Sequence, residues 1–155
     1  MKFIVINSSK NSGKTHTLNY LILKLLSNGY NVIYSDKTIL NAKTDKEIEK
    51  FCSEDKIVDF KIKDKIVRII AFGDSQKLME NAFDKSKSID LYVCASRSKG
   101  STCSYIKEQA GDSTILWHKK WKVTSSNSIE NLDTIHERIN HLQADELYSE
   151  ILESL

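Results

Sequence analysis

The sequence predicts an α/β three-layer sandwich with a mostly parallel sheet and one antiparallel hairpin. Apolar runs typical of strands alternate with amphipathic helical stretches along the 155 residues. Two β-rich runs, at 57–63 and 65–72, surround the polar stretch Lys63-Asp64-Lys65, which predicts the hairpin. Because no linker composition or internal repeat separates these elements, we expect a single domain over 1–155.

The other elements follow from periodicity and capping signals. The first helix has apolar residues at the i, i+3, i+4, i+7 spacing, namely Leu18, Leu21, Ile22 and Leu25. Asn28-Gly29 would end this helix, and the capping box of Thr44 and Glu47 would begin the next. The predicted strands cover 2–7, 31–35, 89–95, 113–117 and 121–124, and the predicted helices cover 14–28, 44–53, 75–87, 101–110 and the chain from 128 onward.

The most informative stretch is the loop after the first strand. The apolar strand at 2–7 runs into Ser8-Ser9-Lys10-Asn11-Ser12-Gly13-Lys14-Thr15, and a leucine-rich helix begins at the end of this loop. A strand, a loop of small residues ending in Gly-Lys-Thr and a helix N-terminus together form a cradle for a nucleoside triphosphate. Ser8 takes the position of the first glycine in the pattern G-x-x-x-x-G-K-[ST].

The residues of this loop match the chemical groups of a Mg-nucleotide. Backbone N–H groups of 9–15 would point at the β-phosphate, and Gly13 has no Cβ to obstruct that approach. Lys14, expected to face solvent without a ligand, would contact the β- and γ-phosphates, and Thr15 would give its hydroxyl to Mg²⁺. The predicted nucleotide-binding residues are Ser8, Ser9, Lys10, Asn11, Ser12, Gly13, Lys14, Thr15 and Thr17.

On these residues the chain resembles the P-loop NTPase superfamily, in detail over its first 30 residues and in layout over most of its length. The resemblance implies a mostly parallel sheet that binds ATP or another nucleoside triphosphate with Mg²⁺ at the carboxyl edge of its strands. It identifies neither a specific family nor a reaction. The Asn-Lys-x-Asp pattern with which small GTPases read guanine does not occur in the sequence, so guanine specificity is unsupported.

Two acidic residues are candidates for the catalytic centre. Asp74 follows the apolar run 69–72, an arrangement similar to Walker B, in which a carboxylate holds the Mg²⁺ ligand shell; alternatively, Asp74 caps the next helix. Asp36 follows the second strand, where many P-loop kinases place a carboxylate that orients or deprotonates the acceptor hydroxyl. The alternative for Asp36 is a turn residue, and both choices stay open at this point.

Further candidates lie in Arg97-Ser98-Lys99-Gly100-Ser101, directly after the buried strand at 89–95. Ligands of open α/β sheets bind outside the carboxyl ends of the strands, so Arg97 and Lys99 are predicted to reach the γ-phosphate or an anionic acceptor. Arg97 is also one of only three arginines in the chain. The alternative is a solvated loop in which Ser101 caps the following helix.

The segment 117–122 interleaves two tryptophans with lysines. This composition fits either stacking on nucleic-acid bases or an edge strand whose tryptophans cover the core, and we favour the edge strand. Nucleic acid stays an alternative partner. The helical histidines His16, His136 and His141 are expected to be solvated, and Cys94 is expected to be a buried strand residue.

Composition excludes several protein classes. The net charge of +2, from 23 basic and 21 acidic residues, is too balanced to indicate nucleic-acid binding by itself. Three cysteines without CxxC spacing argue against a disulfide framework or structural zinc. No signal peptide and no apolar run of 18 residues is found, so a cytoplasmic protein without a membrane partner is expected.

Apolar residues also recur through the C-terminal region. They form an earlier set (Ile129, Leu132, Ile135, Ile139 and Leu142) and a later set (Leu147, Tyr148, Ile151, Leu152 and Leu155). The earlier set is expected to pack its helix on the sheet. Core packing is also expected for the later set, with a homodimer or partner-protein interface as the alternative.

Two function classes follow from the sequence. In the first, the chain is a small NTPase or phosphotransferase in which Lys14, Mg²⁺, a carboxylate and Arg97 stabilise phosphoryl transfer. In the second, it is a nucleotide-dependent interaction module with little or no catalysis, which signals its nucleotide state to a partner protein through the hairpin or the C-terminal helices.

Overall fold

A computed structural model describes residues 1–9, 13–39, 43–72, 76–83, 87–122 and 132–155. In this part of the chain six strands and five helices alternate, as the periodicity predicts. The strands are β1 (Lys2–Ser8), β2 (Asn31–Ser35), β3 (Ile57–Ile62), β4 (Lys65–Ile70), β5 (Leu91–Arg97) and β6 (Thr114–Lys119). The helices are α1 (Lys14–Ser27), α2 (Asp45–Ser53), α3 (Gln76–Ala82), α4 (Ser101–Ala110) and α5 (Leu132–Ser154).

The six strands form one sheet in the order β2-β3-β4-β5-β1-β6. The pairs β4–β5, β5–β1 and β1–β6 are parallel, whereas β2–β3 and β3–β4 are antiparallel. The predicted hairpin is therefore confirmed as β3–β4. Its turn residues Lys63 and Asp64 have φ of 49° and 61°, the left-handed values of a two-residue hairpin turn.

Helices cover both faces of the sheet, which confirms the three-layer α/β architecture. Alternate residues of a strand point to opposite faces, and β1 divides accordingly. Ile4 and Ile6 pack in a core with α1, α2 and α5, whereas Phe3 and Val5 pack in a second core with α3 and α4. All four side chains are fully buried, so β1 lies at the centre of the molecule.

Local signals account for the first two helices. The residue before α1, Gly13, has φ of 86°, a conformation that glycine adopts without a steric penalty. The four aliphatic residues predicted for the buried face of α1 are all fully buried. The Thr44 hydroxyl accepts from the Glu47 N–H at 3.2 Å, which confirms the predicted cap of α2.

Tertiary pairing moves some boundaries away from the predicted ones. The strand predicted at 89–95 is β5, two residues later, because its parallel pairing with β1 continues to Ser8 opposite Arg97. Helix α3 ends at Ala82, and α5 is one continuous helix of 23 residues. Of the strand predicted at 121–124, Trp121 and Lys122 are not in a strand, and the other two residues lie outside the described part.

The C-terminal apolar sets divide differently from the prediction. Leu147 and Ile151 of the later set are fully buried in the core, as expected. The earlier set was expected to pack on the sheet, but Leu142 is exposed and Ile139 borders a cleft, whereas Ile129 lies outside the described residues. Within the described ranges, none of the helices has the length and apolar character that a membrane crossing requires.

A buried ion pair fixes the hairpin to α3. Asp59 and Arg68 are directly opposite on β3 and β4, and each side chain is 2% exposed. The Arg68 guanidinium donates to both carboxylate oxygens of Asp59 at 2.7 Å and, through its third nitrogen, to the Ala82 carbonyl at 2.7 Å. The Arg68 side chain therefore joins both strands of the hairpin to the C-terminal end of α3.

We predict that Arg68→Met lowers the free energy of unfolding by about 3–5 kcal/mol, because it leaves the Asp59 carboxylate buried without its cation. The double variant Arg68→Met, Asp59→Leu should lose less than the sum of the single variants. Urea denaturation measures both effects. Lys61→Met, which removes an exposed pair with Asp64 on the same hairpin, is the control and should cost less than about 1 kcal/mol. Additive losses in the double variant would contradict the predicted coupling.

Candidate functional site

The sheet has a topological switch point between the neighbouring strands β5 and β1. From β1 the chain passes through α1, on one face, to β2 at one edge of the sheet. From the adjacent β5 it passes through α4, on the other face, to β6 at the opposite edge. In open α/β sheets the crevice between two such strands, outside their carboxyl ends, is the usual ligand site.

The first residues of the two loops predicted at 8–15 and 97–101 meet at this crevice. Ser8 and Arg97 are partners at the ends of β1 and β5, and the Ser98 N–H donates to the Ser8 carbonyl at 3.1 Å. The Arg97 N–H donates to Thr102 Oγ1 at 3.2 Å, which ties the second loop to the first turn of α4. Sheet pairing therefore brings together two loops that are about 90 residues apart in sequence.

Lys14 is buried, which corrects the expectation that its side chain faces solvent. It is 6% exposed, and its ammonium donates to the carbonyls of Ser8 at 3.1 Å and Ser9 at 3.0 Å. The lysine side chain folds back onto its own loop because the backbone oxygens there replace the water that burial removes. A cation is thus held at the N-terminus of α1, beside the partial positive charge of the helix.

Contacts with α5 restrict the start of α1. A Cβ on Gly13 would lie 2.9 Å from Asn140 Oδ1, so a side chain at this position would displace Asn140. The Thr17 hydroxyl donates to the Gly13 carbonyl at 3.0 Å and lies 3.3 Å from the same Asn140 oxygen. Thr17, predicted to bind a nucleotide, is fully buried and supports the turn that follows Gly13.

A cleft of about 540 Å³ opens beside the N-terminus of α1. Gly13, Lys14 and Thr15 contribute to its lining, as do residues 120–122 after β6 and polar side chains of α5 between 133 and 140. Arg97 and Lys99 do not line this cleft, and Lys99 is exposed. The site therefore has two parts, namely the crevice between the loops and the cleft against α5.

A buried glutamine of α5 holds one wall of the cleft. The Trp121 N–H donates to Gln143 Oε1 at 2.8 Å, and Gln143 Nε2 donates to the Lys119 carbonyl at 2.8 Å. Gln143 is 1% exposed and Lys120 is 4% exposed, with the Lys120 ammonium donating to the Trp121 carbonyl. Burial lowers the pKa of Lys120 to about 8.

Sequence reasoning missed the contribution of α5 to the site. Tyr20 donates its hydroxyl to Glu137 Oε1 at 3.1 Å, and its ring stacks on His141 with a centroid distance of 3.6 Å. His136 lines the cleft, and its Nε2 is buried without a hydrogen-bond partner in the described part of the chain. The prediction of solvated histidines is therefore wrong for His136. The available signal was the polar face at 133, 136, 137 and 140, which has helical spacing.

The two acidic candidates differ in position. Asp36 follows β2, which lies four strand positions from β1, a lateral separation of roughly 19 Å. Its Oδ1 accepts from the Ile57 N–H at 2.8 Å, so the carboxylate joins the ends of β2 and β3. The structure thus does not bring Asp36 to Lys14. Asp74, like Lys10, Asn11 and Ser12, lies outside the described residues.

Cys94 and the residues around β6 have structural positions. Cys94 is fully buried, as expected, and burial raises the pKa of its thiol to about 12. β6 is an edge strand, as predicted, but the assignment of its side chains is wrong: Trp117 and Trp121 are exposed, whereas Lys120 is buried. The ranges that the structure describes contain no cluster of three or more metal-ligating His, Cys, Asp and Glu side chains.

Comparison with known proteins identifies no relative: no family model, no curated protein and no solved structure matches this chain.

We predict a pH-dependent stability difference between wild type and Lys120→Met. Below pH 8 Lys120 is protonated in both the native and unfolded states, so the native state bears the cost of a buried ammonium and the methionine variant should be the more stable. From about pH 8 to about 10.4 the unfolded state binds more protons at this residue, so wild-type stability rises relative to the variant. Urea denaturation at pH 7 and pH 10 should show the variant's advantage shrinking by on the order of 2 kcal/mol.

Lys56, whose pKa burial also lowers to about 8, is present in both proteins and cancels from this difference. Lys119→Met, at the exposed neighbouring position, is the matched control and should show no such trend. A constant difference between wild type and Lys120→Met across this pH range would contradict the prediction.

Proposed function

We propose that the chain binds a nucleoside triphosphate with Mg²⁺ and carries out its hydrolysis or the transfer of its terminal phosphoryl group. The observation that carries this proposal is the buried Lys14 ammonium at the N-terminus of α1, held by the Ser8 and Ser9 carbonyls. A cation, a helix N-terminus and a glycine in the left-handed region favour an anion of high charge density.

The Lys14 contacts suggest how a polyphosphate would enter. The ammonium is already largely desolvated, and phosphate oxygens that took the place of the Ser8 and Ser9 carbonyls would form stronger, charge-assisted hydrogen bonds with it. Gly13 lets Asn140 of α5 pack against the start of α1, since a Cβ at this position would lie 2.9 Å from the Asn140 oxygen.

Mg²⁺ would be held mainly by the phosphates, because it keeps several waters and needs only one or two protein oxygens. Thr15, which lines the cleft one residue after Lys14, fits one of these ligands through its hydroxyl. Asp74, after the strand two positions from β1, is the carboxylate we propose for the ligand shell. The bound ion would neutralise charge on the phosphates during transfer.

Arg97 is the residue we propose to stabilise the charge that develops during phosphoryl transfer. Its backbone is paired with Ser8 at the crevice. The Arg97 side chain therefore begins next to the loop that carries Lys14, and it could contact the phosphates that Lys14 would bind. Lys99, exposed two residues later, would add a cation for the terminal phosphate or an anionic acceptor.

A second candidate function is a nucleotide-dependent interaction module, and the contact between α5 and the loop favours it. Asn140 touches Gly13 and Thr17, so displacement of the loop by a ligand would be transmitted directly to a long helix. In such a module a partner protein would bind the rearranged α5 with a different affinity, and nucleotide turnover would be slow or absent.

Replacement of the loop lysine tests nucleotide binding. We predict that Lys14→Met weakens Mg-ATP or Mg-GTP binding at least tenfold, since a charge-assisted hydrogen bond contributes roughly 1.5–3 kcal/mol. Isothermal titration calorimetry measures the affinity, and thermal unfolding checks that the fold is retained. Lys24→Met, at the other end of α1, is the control and should leave the affinity unchanged. Equal affinity of wild type and Lys14→Met would exclude the loop as the phosphate site.

Replacement of Arg97 distinguishes an enzyme from a nucleotide-dependent interaction module. In an enzyme Arg97→Ala should reduce turnover by on the order of a thousandfold, as loss of an arginine finger does, with a far smaller change in nucleotide affinity. Phosphate release from Mg-ATP and Mg-GTP, alone and with phosphoryl acceptors, measures this. Arg138→Ala, at an exposed position of α5, is the control. Turnover unaffected by Arg97→Ala would remove this residue from the catalytic centre, and no turnover in wild type would favour the module.

A further inference from the structure

The face of α5 that packs on the protein changes character along its length. In its C-terminal half this face consists of Ala144, Leu147 and Ile151, all buried in the core. The same stripe continues toward the N-terminus at helical spacing, but there it is polar and lines the cleft, with Asp133, His136, Glu137 and Asn140. Asn140 and Glu137 also contact Thr17 and Tyr20 of α1, so this half of the helix packs on α1 through polar groups and presents polar groups to the cleft.

The opposite wall of the cleft supplies an aromatic surface. Trp121 is 44% exposed, although Gln143 and Lys120 fix its backbone on both sides. Trp121 lines the cleft with much of its side chain accessible, so an aromatic surface on a fixed backbone is available there for stacking on a planar ligand. Ile139, which also lines the cleft, adds apolar surface beside it.

The hydrogen-bonding groups of α5 fit a nucleoside. His136 lines the cleft between the acidic residues Asp133 and Glu137 of α5, so its imidazole ring borders the space that a ligand would occupy. The carboxylates of Asp133 and Glu137 accept hydrogen bonds from ribose hydroxyls and from N–H groups of a base.

We propose that this cleft binds the nucleoside half of the triphosphate, with the base stacked on Trp121 and its polar edge or ribose against the N-terminal half of α5. The proposal rests on the proposed function, because Lys14 and Thr15 at the cleft would hold the phosphates of the same molecule. The volume of about 540 Å³ lies within the range of small-molecule sites, roughly 300–1,000 Å³.

Binding of two ligands to the full chain tests the assignment. Mg-ATP and Mg-GTP carry both halves of a nucleotide, whereas inorganic tripolyphosphate with Mg²⁺ carries only the phosphates. Trp121→Ala should weaken the better-bound nucleotide about tenfold, since stacking of one base contributes about 1–3 kcal/mol, and should leave tripolyphosphate binding unchanged. Trp121→Phe, which retains an aromatic face, should recover most of the loss.

The second tryptophan provides the matched control. Trp117 is 37% exposed on β6 but does not line the cleft, so Trp117→Ala should change neither affinity. The chain has only two tryptophans, so in a Trp117→Phe variant the emission reports Trp121 alone. Nucleotide should alter that emission, and tripolyphosphate should not.

The possible failures are distinguishable. Unchanged nucleotide affinity in Trp121→Ala, or an equal loss for nucleotide and tripolyphosphate, would overturn the stacking assignment. Binding of tripolyphosphate as tightly as nucleotide by wild type would overturn the nucleoside site while leaving the phosphate loop intact. Binding of neither ligand by wild type would refute the proposed function and the nucleoside site together.

Discussion

The parallel pairing of β1 with β5 sets the geometry of the candidate site. It ends with Ser8 opposite Arg97, so two loops distant in sequence begin at the same point of the sheet edge. The helices that follow these strands leave on opposite faces, which opens a crevice between the loops. The positions of Lys14, Arg97 and the cleft all follow from this arrangement.

α5 runs from the carboxyl ends of the strands to their amino ends and makes different contacts at each. Near its C-terminus it completes the core, and the Ser154 carbonyl accepts from the Lys2 ammonium at 2.6 Å, at the start of β1. Its N-terminal half reaches the carboxyl ends of the strands, where Asn140 contacts Gly13. A helix of 23 residues is about 35 Å long, which is enough to run along the sheet from the amino ends to the carboxyl ends of its strands.

The candidate site contains two buried cations, Lys14 and Lys120. The Lys14 ammonium donates to the Ser8 and Ser9 carbonyls, and the Lys120 ammonium donates to the Trp121 carbonyl. Burying an ammonium costs folding free energy even where it is hydrogen-bonded. An anionic ligand would offset part of that cost, so these two lysines support a binding site more strongly than an exposed lysine such as Lys99 does.

The α/β class, the hairpin and the start of α1 are predictable from the sequence, because periodicity, capping residues and the glycine before Lys14 act over a few neighbouring residues. It also identified the two loops at the crevice, since both directly follow strands. Only the tertiary structure decided the strand order, which places Asp36 far from Lys14, and the burial of Lys14 itself. It also decided the cleft wall from α5, because contacts between Gly13 and Asn140 depend on how helices pack across the sheet, and local patterns do not encode that packing.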